Sequence, residues 1–116
     1  MIGKKCQVIE DYNSPYTTPL LFKKDEIVSV GQKDSEWSGW IWCTNQSGAS
    51  RWVPENYLEI SGDNGVLNRD YNAVELNVKF GEEFIIKDEE AEWYWVTNKE
   101  GKTGWVPIKN VQIIEE

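Results

Sequence analysis

The chain has 116 residues, of which 40% are hydrophobic and 13% aromatic, and it carries a net charge of −8. This aromatic content argues against disorder, and the charge argues against a nucleic-acid partner, which would need a basic face. A basic peptide suits an acidic chain better. No apolar run is long enough to cross a membrane, and none follows the lysines at positions 4 and 5. We therefore expect a cytoplasmic protein with no membrane partner.

The sequence offers no catalytic or metal-binding constellation. It has no histidine, and its two cysteines, Cys6 and Cys43, match no metal-ligand spacing. No serine lies in a nucleophile-elbow context, and no glycine-rich phosphate loop follows a strand. The sequence therefore predicts a protein that is not an enzyme, with no catalytic residues, metal or cofactor. Both cysteines are expected to be buried, reduced thiols.

Taken in chain order, the first half reads as short strands separated by turns. Strands are predicted over residues 6–9, 20–22, 27–30, 40–45, 50–53 and 58–60. The clearest is 40–45, where strict alternation places Trp40 and Trp42 on one face. Residues 45–48 form a hairpin-turn signal, and Pro54 ends the returning strand because proline has no N–H for the ladder.

The second half repeats this plan. Residues 40–60 and 93–113 align without a gap, with 9 identities in 21 positions. Residues 61–65 are polar and glycine-rich, and they are interpreted as a short linker that restricts the relative orientation of the two halves. We therefore expect an all-β chain of two small five-stranded barrels in tandem, with a first domain at 6–60, a linker at 61–65 and a second domain at 66–114.

Both halves resemble Src-homology 3 (SH3) domains, and the resemblance covers nearly the whole chain. The matching segments are Asp11-Tyr12 and Asp70-Tyr71 in the opening motif, residues 20–26 and 76–82 in the second, Trp40 and Trp93 as the specificity tryptophan, and residues 52–58 and 104–107 in the last motif. The extended tryptophan pattern is more similar to the variant SH3 domains of prokaryotic proteins than to eukaryotic signalling domains.

The resemblance implies a ligand face on each half. The implied ligand-binding residues are Tyr12, Trp40, Trp52, Pro54 and Tyr57 in the first half, and Tyr71, Trp93, Trp105 and Pro107 in the second. Aromatic ridges offer rigid apolar area, and a polyproline II peptide loses little entropy on docking. The family's first motif tyrosine is replaced by Glu10 and Arg69, and the final tyrosine of the second half by Asn110. These replacements favour the first half as the working site.

Further candidates lie beside the specificity tryptophans. The candidate specificity loops contain Asp34, Glu36 and Trp37 in the first half and Asp88, Glu89 and Glu90 in the second. Acidic loop residues either select a basic group of the ligand or are simply solvated. Trp37 either covers the neighbouring domain, contacts ligand or anchors its loop. Trp42 and Trp95 are interpreted as packing residues, while Trp52 and Trp105 stay open between barrel packing and the ligand face.

Three functional hypotheses are consistent with these features. The leading one is a non-catalytic protein-binding or peptide-binding module that recognises an extended, proline-containing or basic peptide. The second is a cell-envelope module that targets peptidoglycan. The third is a structural or assembly role in which the aromatic faces are used in domain packing, and burial of Trp40, Trp52 and Tyr57 would favour it. The oligomeric state stays open.

Overall fold

A computed structural model of the chain describes residues 1–114. These residues form an all-β protein, which confirms the predicted fold class. In chain order the strands are β1 (Lys5–Val8), β2 (Leu21–Phe22), β3 (Ile27–Lys33), β4 (Trp40–Thr44), β5 (Ser50–Pro54), β6 (Leu58–Ser61), β7 (Asn64–Leu67), β8 (Tyr71–Asn72), β9 (Glu83–Glu90), β10 (Trp93–Thr97), β11 (Thr103–Pro107) and β12 (Val111–Ile114). Single 3-10 turns over Glu55–Tyr57 and Ile108–Asn110 follow β5 and β11. Within residues 1–114, no helix is long and apolar enough to cross a membrane.

The strands are divided between two compact units, and each unit draws on both halves of the sequence. The central unit is continuous and comprises Pro19–Ala73. The terminal unit combines Met1–Thr18 with the chain from Val74 onward. Each unit contains one five-stranded antiparallel sheet, in agreement with the prediction of two five-stranded SH3-like barrels.

In the terminal unit the strand order is β11-β10-β9-β1-β12, so β1 lies between β9 and β12. Cys6 faces Phe84 on one side and Ile113 on the other, and Val8 faces Val111. The inward side chains of β1, Cys6 and Val8, are completely buried and belong to the apolar core of this unit. The first strand of the chain is therefore an interior strand of the barrel built mostly by the second half.

In the central unit the strand order is β5-β4-β3-β7-β6, so β7 lies between β3 and β6. Gly65 faces Val28 and Ile60 across these two pairings. β6 and β7 form a tight hairpin whose turn is Gly62-Asp63, with Gly62 at a φ of 61°. Positive φ suits glycine, which has no Cβ to clash. β2 pairs with β8 in a separate two-stranded sheet of the same unit.

β1 and β7 are equivalent strands of the two repeats, and each completes the barrel made mostly of the other repeat. The predicted division at 6–60, 61–65 and 66–114 follows the sequence repeats, whereas the compact units begin and end at other residues. The expected linker is strand and turn, with Ser61 of β6 opposite Asn64 of β7. The difference arises because an alignment of repeats shows which segments are alike but not which strands pair.

Two strands are longer than predicted, and this changes the place of the acidic residues. β3 continues to Lys33, and β9 continues to Glu90. Residues 88–90 are consequently strand residues that pair with 93–95, and the turn shrinks to Ala91 and Glu92. Both turn residues have positive φ, which is the conformation that a tight two-residue hairpin requires.

Candidate functional site

Tyr57 and Tyr71 form the centre of an aromatic cluster in the central unit. Their ring centroids lie 5.4 Å apart in an edge-to-face arrangement, and Tyr71 also stacks on Phe22 at 6.1 Å. The Tyr71 hydroxyl donates a hydrogen bond of 3.0 Å to the backbone carbonyl of Trp52. Tyr71 therefore takes the place beside Tyr57 that the repeat alignment assigned to Tyr12.

Arg69 stacks on the ring of Tyr57 with its guanidinium carbon 4.3 Å from the ring centroid. Its Nε donates to Asn68 Oδ1 at 3.0 Å. Asn68 is itself held, because its backbone N–H donates to the Tyr57 carbonyl at 2.9 Å and its Nδ2 donates to the Asn56 carbonyl at 3.0 Å. The ring contact and the hydrogen bond together orient the exposed guanidinium. No carboxylate within residues 1–114 forms an ion pair with it.

Most of the predicted ligand residues are buried. Trp105 is 3% exposed, Trp40 and Trp93 are each 4% exposed, Tyr57 is 5% and Tyr71 is 6% exposed, and Pro54 and Pro107 are fully buried. Trp52 and Tyr12 are half-buried. The open aromatic groove that the resemblance implies is therefore reduced, and Trp52 and Tyr12 keep the most accessible surface of the set.

Each unit contains the same pair of tryptophans on facing strands. Trp42 faces Trp52 with ring centroids 4.9 Å apart, and Trp95 faces Trp105 at 5.3 Å, both with an interplanar angle of 66°. Directly facing aromatic residues stabilise a sheet through their side-chain contact. The contacts agree with the interpretation of Trp42 and Trp95 as packing residues, and they give Trp52 and Trp105 a packing role as well.

In the terminal unit the equivalent cluster is smaller and is held by an asparagine. Tyr12 contacts Trp93 edge-on with centroids 5.5 Å apart. Asn110, which stands where the family has its final tyrosine, is 2% exposed. Its Nδ2 donates to the backbone carbonyls of Glu10 and Asp11, each at 3.2 Å. Asn110 therefore ties two segments of this unit together.

The outer edge of β11 is covered by residues 74–76 of the same unit. The Trp105 N–H donates to the Val74 carbonyl, and the Leu76 N–H donates to the Trp105 carbonyl, both at 3.0 Å. Glu75 faces Trp105 in a parallel bridge. An extended segment thus binds the edge of this sheet through its main chain, as an added strand does.

Side chains hold residues 74–76 on that edge. Ser14 Oγ donates to Glu75 Oε1 at 2.8 Å, and both side chains are buried. Leu76 lies directly over Gly104, where an added Cβ would come within 2.9 Å of Leu76 Cγ. The close approach of this segment therefore depends on the missing side chain at Gly104.

The matching edge of β5 in the central unit is occupied differently. The hydrogen bond from Asn45 N–H to the Ala49 carbonyl, at 2.9 Å, closes the β4–β5 hairpin. Antiparallel pairs alternate between bonded and non-bonded, so Trp42 and Trp52 form a non-bonded pair and the backbone of Trp52 points away from β4. The Trp52 carbonyl accepts the Tyr71 hydroxyl. Among residues 1–114, the Trp52 N–H has no partner comparable to the one that Val74 gives Trp105.

The loop before Trp40 is ordered by one of its own carboxylates. Asp34 Oδ1 accepts the backbone N–H groups of Glu36 at 2.8 Å and Trp37 at 3.0 Å. Such a turn uses the carboxylate within the loop. Trp37 is half-buried and Glu36 is exposed. Of the two carboxylates named in this loop, Glu36 is the more exposed.

The acidic residues of the terminal unit lie on β9 and not in the predicted loop. Asp88, Glu89 and Glu90 face Trp95, Tyr94 and Trp93, respectively. Asp88 Oδ1 accepts the Glu89 N–H at 2.8 Å. Asp88 and Glu89 are exposed and Glu90 is half-buried. They place negative charge along one strand of the sheet.

Both cysteines are buried free thiols, as predicted. Burial raises the pKa of Cys43 to about 12 and that of Cys6 to about 11, where a backbone hydrogen bond from Phe84 opposes part of the shift. The pKa of Tyr94 is also raised, mainly by burial and then by the nearby charge of Glu89. At neutral pH these groups are uncharged, and within residues 1–114 no cluster of metal-ligating side chains accompanies them.

Sequence reasoning missed the contribution of three features. The sequence presents Arg69 and Asn110 only as replacements of family tyrosines, and it presents Val74 and Glu75 only as part of the short loop between Tyr71 and Leu76. The contacts of Arg69 and Asn110 become predictable once β1 and β7 change places between the repeats. Arg69 then lies beside Tyr57, and Glu10 lies beside Asn110.

Comparison with known proteins identifies the family. The profile of the variant SH3 domain matches the chain twice, at residues 5–61 and 65–114. The chain belongs to the variant SH3 domain family. Domains of this family are non-catalytic modules of protein interaction.

Three curated relatives each match part of the chain, and the name of one of them includes SH3. Myosin-1 of Mycosarcoma maydis is 49% identical over 41 residues, which is 35% of this chain and 3% of that protein. An SH3 and F-BAR domain-containing protein of Dictyostelium discoideum is 33% identical over 58 residues, 50% of this chain and 10% of that protein. Myosin IB heavy chain of Dictyostelium discoideum is 35% identical over 54 residues, 47% of this chain and 5% of that protein. The chain therefore spans a tenth or less of these relatives, and the expected likeness to prokaryotic domains stays a prediction.

Proposed function

We propose that the protein binds an extended peptide along the edge of β5 in the central unit. The observation that carries this proposal is the segment 74–76, which lies along the matching edge of β11 and uses both backbone groups of Trp105. The edge of β5 presents Trp52 in the same orientation, with its N–H turned away from β4. Main-chain hydrogen bonds recognise an extended backbone, and side chains beside the edge provide selectivity.

Selectivity at this edge comes from Arg69. A continuous set of contacts leads from the Trp52 carbonyl through Tyr71 and Tyr57 to the Arg69 guanidinium. An oriented guanidinium without an ionic partner is suited to a carboxylate, which it can bind through two parallel hydrogen bonds. We therefore expect the central unit to prefer a peptide with an acidic residue. The basic ligand anticipated from net charge suits the terminal unit, where residues 88–90 are acidic.

The surface next to Tyr71 has room for a ligand side chain. A hollow of about 200 Å³ is lined by Leu21, Phe22, Lys23, Asp70, Tyr71 and Asn72. Lys23 is exposed and adds a second cation close to the cluster. Lys23 favours an acidic side chain in this hollow and Asp70 opposes it, and exposed pairs of either kind contribute under about 1 kcal/mol.

Nuclear magnetic resonance titration tests the proposal. Two eight-residue extended peptides that differ only by a central glutamate or lysine are added to the ¹⁵N-labelled chain. The Trp52 amide is expected to shift on binding, and the Trp105 amide, whose N–H is already bonded to Val74, serves as the internal control. No shift at Trp52 with millimolar peptide, or equal shifts at both amides, would contradict binding at this edge.

The Arg69→Ala variant tests the selectivity separately. Binding of the glutamate peptide is expected to weaken about fivefold, which corresponds to about 1 kcal/mol, while binding of the lysine peptide is retained. Lys24→Ala is the matched control, because Lys24 is an exposed cation whose backbone N–H, retained in the variant, donates to Asp70 Oδ1 at 2.8 Å. Equal effects of the two variants would refute the role of Arg69 without refuting the edge site.

A structural or assembly role is a second candidate, and one observation favours it. Trp40, Trp93 and Trp105 are each less than 5% exposed, so these aromatic surfaces are already used in packing within the folded chain. Such a role predicts that neither peptide shifts Trp52. The same titration therefore separates the two functions.

A further inference from the structure

We infer that side-chain differences at three matched positions decide which strand completes which unit, and that reversing them returns β1 and β7 to their own repeats. The matched residues are Cys6 and Gly65, Gln7 and Val66, and Glu10 and Arg69. This inference is independent of peptide binding. It concerns how the two repeats are interlocked.

The first matched position is steric. A Cβ at Gly65 would lie 3.1 Å from Val30 Cγ1 and 3.4 Å from Leu58 Cδ2. Cys6 brings that Cβ and a sulfur atom beyond it, so β1 fits poorly between β3 and β6. In the terminal unit the position faces Phe84, and the Cys6 side chain there is completely buried. Glycine at this position of the terminal unit would leave a void in a core that is otherwise filled.

The second matched position lies on the outward face of the same strands. In the observed arrangement Val66 faces Ile27, and Gln7 faces Glu83. The neighbouring Lys5 also approaches Glu83, with 3.9 Å between Nζ and Oε1. If the strands returned to their own repeats, Val66 would face Glu83 and Gln7 would face Ile27. The observed exchange therefore places valine opposite isoleucine on β3 and glutamine opposite glutamate on β9. On their other sides Val66 faces Glu59 and Gln7 faces Gln112.

The third matched position lies just after each strand. Arg69 stacks on Tyr57 through its side chain. Glu10 contacts Asn110 through its backbone, since its carbonyl accepts a hydrogen bond from Asn110 Nδ2. Without the exchange, Glu10 would bring a carboxylate to the ring of Tyr57. The face of an aromatic ring is the negative part of its quadrupole, so it attracts a guanidinium and repels a carboxylate.

Cross-linking in the full chain reads out which strands pair. Gln7 faces Gln112 in the terminal unit, and directly facing residues are close enough for a disulfide. A protease site inserted into the turn at Gly62-Asp63 divides the chain between β6 and β7. The Gln7→Cys/Gln112→Cys variant is expected to keep the two fragments joined on a non-reducing denaturing gel. Gln7→Cys/Glu59→Cys is the matched control, because Glu59 faces Val66 and not Gln7.

Reversal at the first and third matched positions is the decisive arm, and the second stays unchanged because position 7 carries the cross-linking cysteine. The variant Cys6→Gly/Gly65→Ala/Glu10→Arg/Arg69→Glu is combined with each cysteine pair. The 7–112 link is expected to fall at least about tenfold and the 7–59 link, measured by thiol titration, to rise. An unchanged 7–112 link in the reversed background overturns the inference, as does a 7–59 link in the original background.

A milder variant covers the case in which the fourfold reversal does not fold. Glu10 and Arg69 are both exposed, so Glu10→Arg/Arg69→Glu replaces no buried side chain. This double variant is expected to lower the 7–112 link about twofold, because one of the three matched positions is reversed. Equal linking before and after this change, in a folded protein, counts against the inference.

Discussion

The two units have the same sheet and finish its outer edge in different ways. In the terminal unit Gly104 leaves room for residues 74–76, which lie on the edge of β11 and bond to Trp105. In the central unit Arg51 stands at the position of Gly104, and the Trp52 carbonyl is bonded by a tyrosine hydroxyl. The two units thus differ at one edge position. With glycine there, residues 74–76 cover the edge of β11, whereas with arginine the backbone N–H at the edge of β5 stays accessible. Two repeats that share 9 of 21 aligned residues can in this way finish the same sheet differently.

The largest expected effect on this difference between the units comes from a substitution at Gly104. Gly104→Ala places a Cβ within 2.9 Å of Leu76 and 3.0 Å of the Val74 carbonyl. Because the segment must move away from the edge, the free energy of unfolding is expected to fall by about 2–3 kcal/mol, the cost of overpacking. Chemical denaturation followed by tryptophan fluorescence measures it. Gly31→Ala is the control, since its added Cβ meets Trp42 atoms at ordinary distances of 3.5 Å or more. Equal losses in both variants would contradict the close-approach argument.

The next effect concerns Asn110, which distinguishes the terminal cluster from that of Tyr57. Asn110→Ala removes both hydrogen bonds to the carbonyls of Glu10 and Asp11. The loss of these two part-buried hydrogen bonds is expected to lower the free energy of unfolding by about 1–2 kcal/mol. Thermal denaturation provides the measurement, with Asn13→Ala, an exposed asparagine of the same unit, as the control. A loss no larger than that of Asn13→Ala would show that the Asn110 hydrogen bonds do not stabilise the terminal unit.

The smallest effect is a pH dependence that both units share. The pKa of Cys43 in the fold is about 12, against an ordinary value of 9.0. Between these values the unfolded chain has lost the thiol proton and the folded chain keeps it, so stability falls as the pH rises above 9. The expected contribution is about 1.4 kcal/mol at pH 10.

Cys43→Ala isolates this contribution, because tyrosines and lysines titrate in the same range. Unfolding of both proteins is followed by denaturant titration at pH 7 and pH 10. The loss of stability between the two values is expected to be smaller in the variant. The same loss in both proteins would contradict the assignment to the thiol.

Much of each barrel could be predicted because its residues repeat a local pattern. The alternation from Trp40 to Thr44 and the proline at 54 predict the β4–β5 hairpin, because both strands and their turn are close together in the sequence. The partner of β1 could not be predicted in this way. Cys6 pairs with Ile113 because the side chains that surround β1 come from residues far away in the sequence. An alignment of one repeat with the other does not contain that information.

The sequence predicts most residues of the site, but it does not predict which of them contact one another. Tyr57 and Trp52 were expected near a tyrosine of the opening motif, and the tyrosine is Tyr71 and not Tyr12. Arg69 was noted as a departure from the family pattern, yet its contact with Tyr57 becomes visible only once the strands have exchanged. A departure from a motif can thus mark a new contact as well as a lost one.

The exchange also sets an order in which the protein is completed during synthesis. The central unit is one continuous segment, from Pro19 to Ala73, and it can close as soon as β7 and β8 have left the ribosome. The terminal unit must hold β1, the first strand to emerge, until β9 and β12 have been made. Contacts between such distant parts of a chain form slowly because of the entropy of closing the long loop between them. A finished central barrel shortens that wait, because its own two ends lie together: the Ala73 N–H donates to the Leu20 carbonyl at 3.0 Å.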